Sequence, residues 1–181
     1  MTLVFLAGLI AMAIWAIPVY NLLVRDRARV AAAWSDVAVQ LKRRYDLVPN
    51  LVEVARRHAD FERGVLERVA QGRSLALRAQ GPADKREPEG AFQQELHRLV
   101  AVAEAYPDLK ASQSFLELQR NLSQVEDQIQ FARRYCNGAV NNLNTRVDTF
   151  PDLMLARLFG LRPAEYFELG DAAQARPPEV P

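Results

Sequence analysis

The chain has 181 residues, with 23 Lys and Arg against 22 Asp and Glu and a formal net charge of +1. Such a balance excludes the strongly basic footprint of a dedicated nucleic-acid binder, so no nucleic-acid partner is expected. One cysteine and two histidines rule out an internal disulfide and are a thin supply for a metal site, and no cofactor is expected.

The first element is apolar. Leu3 to Val24 carries no charged side chain, and the first to appear is Arg25. About 20 such residues suffice to cross a bilayer as a helix. A cleavable signal peptide would show a basic start, a shorter apolar run and a small-residue cleavage site. Residues 1–24 therefore read as an uncleaved anchor, with a removed signal peptide as the competing reading. Pro18 is tolerable there as a kink, while Trp15 and Tyr20 suit the interfacial belt. Arg25, Arg27, Arg29, Lys42, Arg43 and Arg44 follow the span and no basic side chain precedes it. The positive-inside rule then puts the N-terminus outside and the rest of the chain in the cytoplasm.

Beyond the anchor, apolar residues recur every three or four positions, the stripe of a helix packed in a bundle. A first helix carries Val30, Trp34, Val37, Leu41, Tyr45 and Val48. Asp46 to Asn50, containing Pro49, should interrupt it, because proline lacks a donor and clashes with the preceding turn. A kinked continuous helix is the alternative. Asn50 with Glu53 would cap the second helix, striped by Leu51, Val54, His58, Phe61, Val65 and Val69. Gly81-Pro82 to Gly90 reads as a charged linker. The third helix carries Phe92, Leu96, Leu99, Ala103 and Tyr106, and ends at Pro107. Ser114 with Glu117 would cap the fourth, whose stripe runs from Phe115 through Leu122, Ile129 and Cys136 to Val147 and Phe150. At 1.5 Å per residue that helix is roughly 55 Å long. Asp152 to Phe159, closed by Gly160, reads as a short amphipathic helix. The expectation is all-α: an N-terminal transmembrane helix, then an elongated antiparallel bundle of about four long helices over residues 25–168. Residues 169–181 read as a disordered tail.

Candidate chemistry is sparse. His58 lies on an apolar stripe, but neither it nor His97 follows a Glu by three positions, as helical di-metal sites require. Cys136 sits between Ala132 and Ala139 and reads as a buried small hydrophobe. Lys42-Arg43-Arg44 and Arg56-Arg57 flank the expected first turn and form the candidate interaction surface, for anionic headgroups or an acidic partner. Arg133-Arg134 lies mid-helix on the fourth, and the plainer reading pairs all three basic runs with Asp46, Glu53, Glu126 and Asp127 along solvated helix faces. Asn137, Asn141, Asn142, Asn144 and Thr145 cluster late in the fourth helix, where a buried asparagine could fix register or the cluster could mark where a partner helix docks. No phosphate-cradling loop, nucleophile elbow or CxxC pair is present.

Three stretches together resemble the LemA family of bacterial membrane-anchored proteins. The first runs from Tyr20-Asn21-Leu22-Leu23-Val24 through Ala33-Trp34-Ser35-Asp36 to Arg43-Arg44-Tyr45-Asp46-Leu47-Val48-Pro49-Asn50-Leu51-Val52. The second is Val102 to Ser112 with Phe115, Leu118 and Gln119. The third includes Glu126, Arg133-Arg134-Tyr135, Asn137, Asn144-Thr145, Phe150-Pro151, Phe159-Gly160 and Tyr166-Phe167. Two places depart from the family pattern: Cys136 stands where a second aromatic is common, and the charged stretch from Gln80 to Gly90 is idiosyncratic. The resemblance implies a short N-terminal membrane helix, a long-helix bundle and a role in membrane or envelope organisation, in the bacterial inner membrane.

The functional expectation is a membrane-anchored, non-enzymatic scaffold or adaptor. Its partners would be other membrane or envelope proteins or further copies of itself, and the bilayer itself through Leu3 to Val24. Two alternatives stand beside it. One is a membrane-surface module that binds anionic lipids and shapes the bilayer. The other is an uncharacterised enzyme or an accessory subunit of a membrane protease.

Overall fold

The computed structural model describes residues 1–57 and 62–167, apart from the side chain of Leu9. His58 and Phe61 of the expected seam, and the expected tail, lie outside the described residues. Within them the chain forms six helices and no strand: α1 Thr2–Arg56, α2 Arg63–Arg78, α3 Gly81–Ala103, α4 Pro107–Lys110, α5 Gln113–Asp148 and α6 Asp152–Leu158. The all-α expectation holds.

The expected break at Asp46 to Asn50 is absent, and Asn50 caps nothing. Instead α1 runs without interruption through Pro18 and Pro49 for 55 residues. Pro49 cannot donate to the carbonyl of Tyr45 one turn below it, which would leave a buried acceptor without a partner. Arg73 on α2 supplies the missing donor, its Nε reaching Tyr45 O at 2.7 Å. A neighbouring helix thus repairs the helix that the proline would have ended.

The expected linker from Gly81 to Gly90 is helical as well. The α2–α3 connection shrinks to Ala79 and Gln80, both extended, followed by Gly81 at φ +80°, which only glycine adopts freely. Pro82 falls in the first turn, where no donor is needed. The helix persists past Pro88 because its buried stripe begins earlier than the apolar residues do, at Glu89, before Phe92, Leu96, Leu99 and Ala103. A third correction is small: α5 starts at Gln113 with Ser112 as its N-cap, so Ser114 lies inside the helix. At the far end, α6 closes as expected. Gly160 has φ +66°, its N–H reaches Arg157 O, and Leu161 N–H reaches Ala156 O at 2.9 Å; these are the paired bonds of a Schellman cap.

α1 and α5 pack antiparallel along the rod, as the pairs Asp26–Arg146 and Arg44–Glu126 show. In the half far from the N-terminus, the α2–α3 hairpin completes a four-helix bundle. Gly72 lets the ring of Phe92 sit against the α2 backbone there. In the near half the hairpin is absent, and α6 with the extended stretch 161–167 takes its place. The main core holds Val37, Leu41, Leu51, Phe92, Leu99 and Ile129. A second cluster joins Val19 and Leu23 of the apolar stretch to Leu143, Val147, Leu155 and Ala156. The upper part of the expected anchor is therefore also part of the core. Trp34 is only half-buried, contrary to its place on the stripe, and Phe150 is exposed.

Candidate functional site

The five cations of the candidate surface do not form one patch. Because α1 is continuous, Lys42 and Arg43 stand about 20 Å along the axis from Arg56 and Arg57. Lys42 pairs with Asp46 at 3.5 Å, Arg57 with Glu53 at 2.6 Å, and Arg43 donates to Gln40 at 3.3 Å. Arg56 is exposed. Arg44 is not on the surface at all: its side chain is 0% exposed. Sequence alone placed it with its neighbours because three consecutive cations look alike, yet on a helix successive residues point about 100° apart.

Arg44 instead centres a charge network in the middle of the rod. Its Nη2 donates to Glu89 Oε2 and its Nη1 to Glu126 Oε1 at 2.7 Å, while the guanidinium lies 5.3 Å from the centre of the Phe92 ring. One cation faces two carboxylates, and Glu89 is fully buried. Burial pushes the Glu89 carboxyl up to about 7, against the downward pull of Arg44 and with a further upward push from Glu126. Lys85 lies beside the network, reaching Ala76 O at 2.8 Å and Tyr45 Oη at 3.4 Å. Its pKa is lowered, first by burial and then by the charge of Arg44. The arrangement ties α1, α3 and α5 together at one level and fixes their register. A buried pair of this kind specifies geometry more than it stabilises. Sequence alone placed Glu126 only among the acids of a solvated helix face, not as a buried partner of Arg44, and nothing in it pointed to Glu89, which lay in the supposed linker.

The asparagine cluster has a definite task. Asn144 and Asn137 each use both ends of the side-chain amide to grip the backbone of the extended stretch 161–167. Asn144 accepts from Ala164 N at 2.7 Å and donates to Ala164 O at 2.9 Å. Asn137 accepts from Phe167 N at 2.9 Å and donates to Phe167 O at 3.2 Å. Between them Asn141 Oδ1 accepts from Tyr166 Oη at 3.2 Å, and Arg86 donates to Tyr166 O at 3.1 Å. Two amides seven residues apart lie two turns apart on the same face of α5, so an extended segment can bridge them. Phe167, fully buried, then stacks edge-on against Trp34 with centroids 5.1 Å apart. The sequence left open whether these asparagines fix register or dock a partner helix, and the segment they hold is neither a helix nor a partner's. They dock this chain's own.

Cys136, one residue from the clamp, is buried, and burial raises its thiol pKa, which opposes a nucleophilic role. His97 is exposed on α3. On the outer face of α5, Phe131 and Tyr135 are 62% and 64% exposed, with the Arg134 guanidinium 4.7 Å from the Phe131 ring. Near the apolar stretch, Asp26 is buried and accepts from Arg146 at 2.9 Å and Arg29 at 3.2 Å, while Arg146 also reaches Asp152 at 3.1 Å. This collar locks α1, α5 and α6 together just beyond Val24.

The sequence profile of the LemA family fits residues 33–181 of the chain. The chain belongs to the LemA family. The matched region takes in Arg44, the asparagine clamp and Trp34. Similar proteins include Magnetosome protein MamQ 2 of Paramagnetospirillum magneticum, 26% identical across 82% of this chain and 64% of its own length. Magnetosome protein MamQ of Magnetospirillum gryphiswaldense is 25% identical, with the same 82% and 64% shares. Protein LemA of Metamycoplasma hominis is 28% identical across 72% of this chain and 60% of its own length. This LemA-family chain thus matches less than two thirds of the length of these relatives.

Proposed function

We propose that this LemA-family chain is a membrane-anchored, non-enzymatic scaffold. Its apolar N-terminal stretch crosses the bacterial inner membrane once, and the rod recruits or organises other membrane or envelope proteins. The observation that carries this reading is that α1 is one helix from Thr2 to Arg56. The apolar end, with Leu3, Phe5, Leu6, Ile10, Ile14 and Ile17 exposed, continues without a hinge into the bundle. An anchor on a flexible tether only localises a protein, whereas an anchor continuous with the rod also fixes the direction in which it projects. Arg25, Arg27 and Arg29 directly after the apolar stretch favour the cytoplasmic side for the rod. The exposed aromatic pair Phe131 and Tyr135 is the best-suited partner surface, since aromatic residues dominate interface energetics. The naming of two relatives as magnetosome proteins accords with organising a membrane compartment.

Binding of anionic lipid through the candidate cations Lys42, Arg43, Arg56 and Arg57 ranks second because of distance. Lys42 lies ~27 Å and Arg56 ~48 Å beyond Val24 along the helix, several times the ~8 Å over which such charges act at physiological ionic strength. The test is affinity isolation of the tagged chain from native membranes. A stoichiometric protein partner, lost on Phe131→Ser with Tyr135→Ser, supports the scaffold, and a protease among the partners would make the chain its accessory subunit. Recovery of the chain alone, holding anionic lipid, would overturn it in favour of the surface module.

A further inference from the structure

We propose that α6 is an interfacial membrane helix, immersed beside the span in the leaflet nearest the rod, and that the chain therefore holds the bilayer at two points. This rests on the reading of residues 1–24 as a membrane span.

The position of α6 along α1 decides its depth. Phe159, capping its end, meets Tyr20 with ring centroids 4.6 Å apart, and Leu155 and Ala156 pack on Val19 and Leu23, with Trp15 alongside. All of these α1 residues precede Val24. At 1.5 Å per residue Tyr20 lies ~6 Å and Trp15 ~14 Å below it. If α6 stayed in water, the residues free to cross would be those up to about Met12, spanning ~17 Å, far short of the ~30 Å hydrocarbon core. Crossing needs about 20 residues, and counted back from Arg25 these include the stretch that α6 covers. The membrane must therefore rise past α6.

The chemistry of α6 suits that level. Phe150, Met154, Leu158 and Phe159 turn outward and are 74%, 61%, 75% and 55% exposed, a costly arrangement in water for a segment this short. The one acid of the helix, Asp152, is held by Arg146 at 3.1 Å on the rod side. Arg157 and Arg162 are exposed at its end, where a long cationic side chain can reach up to headgroups. Apolar residues buried roughly 5–10 Å into the headgroup boundary, flanked by basic ones, are the pattern of helices that lie in the interface. The exposed apolar side chains of α6 also continue directly from those of the span, so one apolar surface wraps both helices. Lipid rather than protein is the occupant consistent with that continuity.

The test is depth-dependent fluorescence quenching on the full chain in vesicles of phosphatidylcholine and phosphatidylglycerol. In a Cys136→Ala background, single fluorophores are placed by Leu158→Cys, Ile10→Cys and Leu77→Cys. The probe at 158 should be quenched severalfold more by lipids labelled near the headgroup than by lipids labelled at the tail end, and be shielded from aqueous iodide. The probe at 10 should show the reverse depth preference, and that at 77, on α2, should respond to iodide alone. If 158 responds to iodide while 10 stays lipid-quenched, the anchor stands and the interfacial helix is wrong. Protection of 158 from both quenchers would mean that protein covers it, which also overturns the proposal. If 10 is not lipid-quenched, the span and the interfacial helix fall together.

Discussion

The repair of Pro49 by Arg73 can be measured as a coupling energy. In the unaltered chain the Tyr45 carbonyl has no backbone donor from position 49 and depends on Arg73 Nε at 2.7 Å. Arg73→Met keeps most of the aliphatic stem and removes the donor. It should cost about 1–3 kcal/mol, the penalty for leaving a buried acceptor unpaired. Pro49→Ala supplies an N–H in register with that carbonyl. Its gain is partly offset by the looser unfolded chain, worth about 0.4–1 kcal/mol, so the single change should be neutral or modestly stabilising. The informative quantity is the double substitution. With alanine at 49 the carbonyl no longer needs Arg73, and Arg73→Met should then cost under about 0.5 kcal/mol, as at an ordinary surface position. The expected coupling is thus about 1–2 kcal/mol, well above the ~0.3–0.5 kcal/mol scatter of independent sites. Urea unfolding of the detergent-solubilised full chain, followed by far-UV circular dichroism, reads it out. Additive costs would refute the repair and leave the continuity of α1 without its cause. A destabilising Pro49→Ala would point instead to a real turn at this position.

Other outcomes follow from the same contacts. The Glu89 carboxyl titrates near 7 in the folded chain, against an ordinary value of 4.5, so the folded state binds the extra proton between these values. Stability should be full below about pH 4.5 and fall as pH rises through 7, by about 3 kcal/mol; Glu89→Gln should remove this fall in pH-dependent unfolding, and an unchanged slope would contradict it. Asn144→Ala removes both bonds to Ala164 and should speed amide hydrogen exchange at residues 161–167 while leaving the α2–α3 hairpin unchanged. Ile129→Ala should cost about 2–5 kcal/mol, whereas Gln130→Ala, exposed beside it, should stay within about 0.5 kcal/mol, both read by the same urea unfolding.

Most of the fold was legible because the seams obey one rule: apolar residues three or four apart, from Val37 to Tyr45, from Phe92 to Ala103, and from Phe115 to Val147. What was not legible depends on contacts distant in sequence. Proline at 49 carries a local signal for a break, and only Arg73, on another helix, overrides it. The stretch from Gly81 to Gly90 has the composition of a linker, and it is helical because Glu89 is buried against Arg44. A buried acid leaves no apolar mark on a stripe, so the pattern began one turn too late, at Phe92, and the charge network went unseen. The asparagines were visible as a cluster, but their spacing of seven between 137 and 144 has meaning only with an extended segment laid across it. The cations of α1 were visible as runs, and the helix distributes them to different faces and levels.

The rigid coupling of anchor to rod is the claim on which the proposed function most depends. With Cys136→Ala as background, spin labels at Ile10→Cys and Arg43→Cys in the full chain in lipid nanodiscs are separated by 33 helical positions, or ~50 Å at 1.5 Å each. Double electron–electron resonance should give a single narrow distribution near that distance. A broad distribution, or a second population at markedly shorter distances, would show a hinge between the membrane stretch and the bundle and contradict a rod held in a fixed direction.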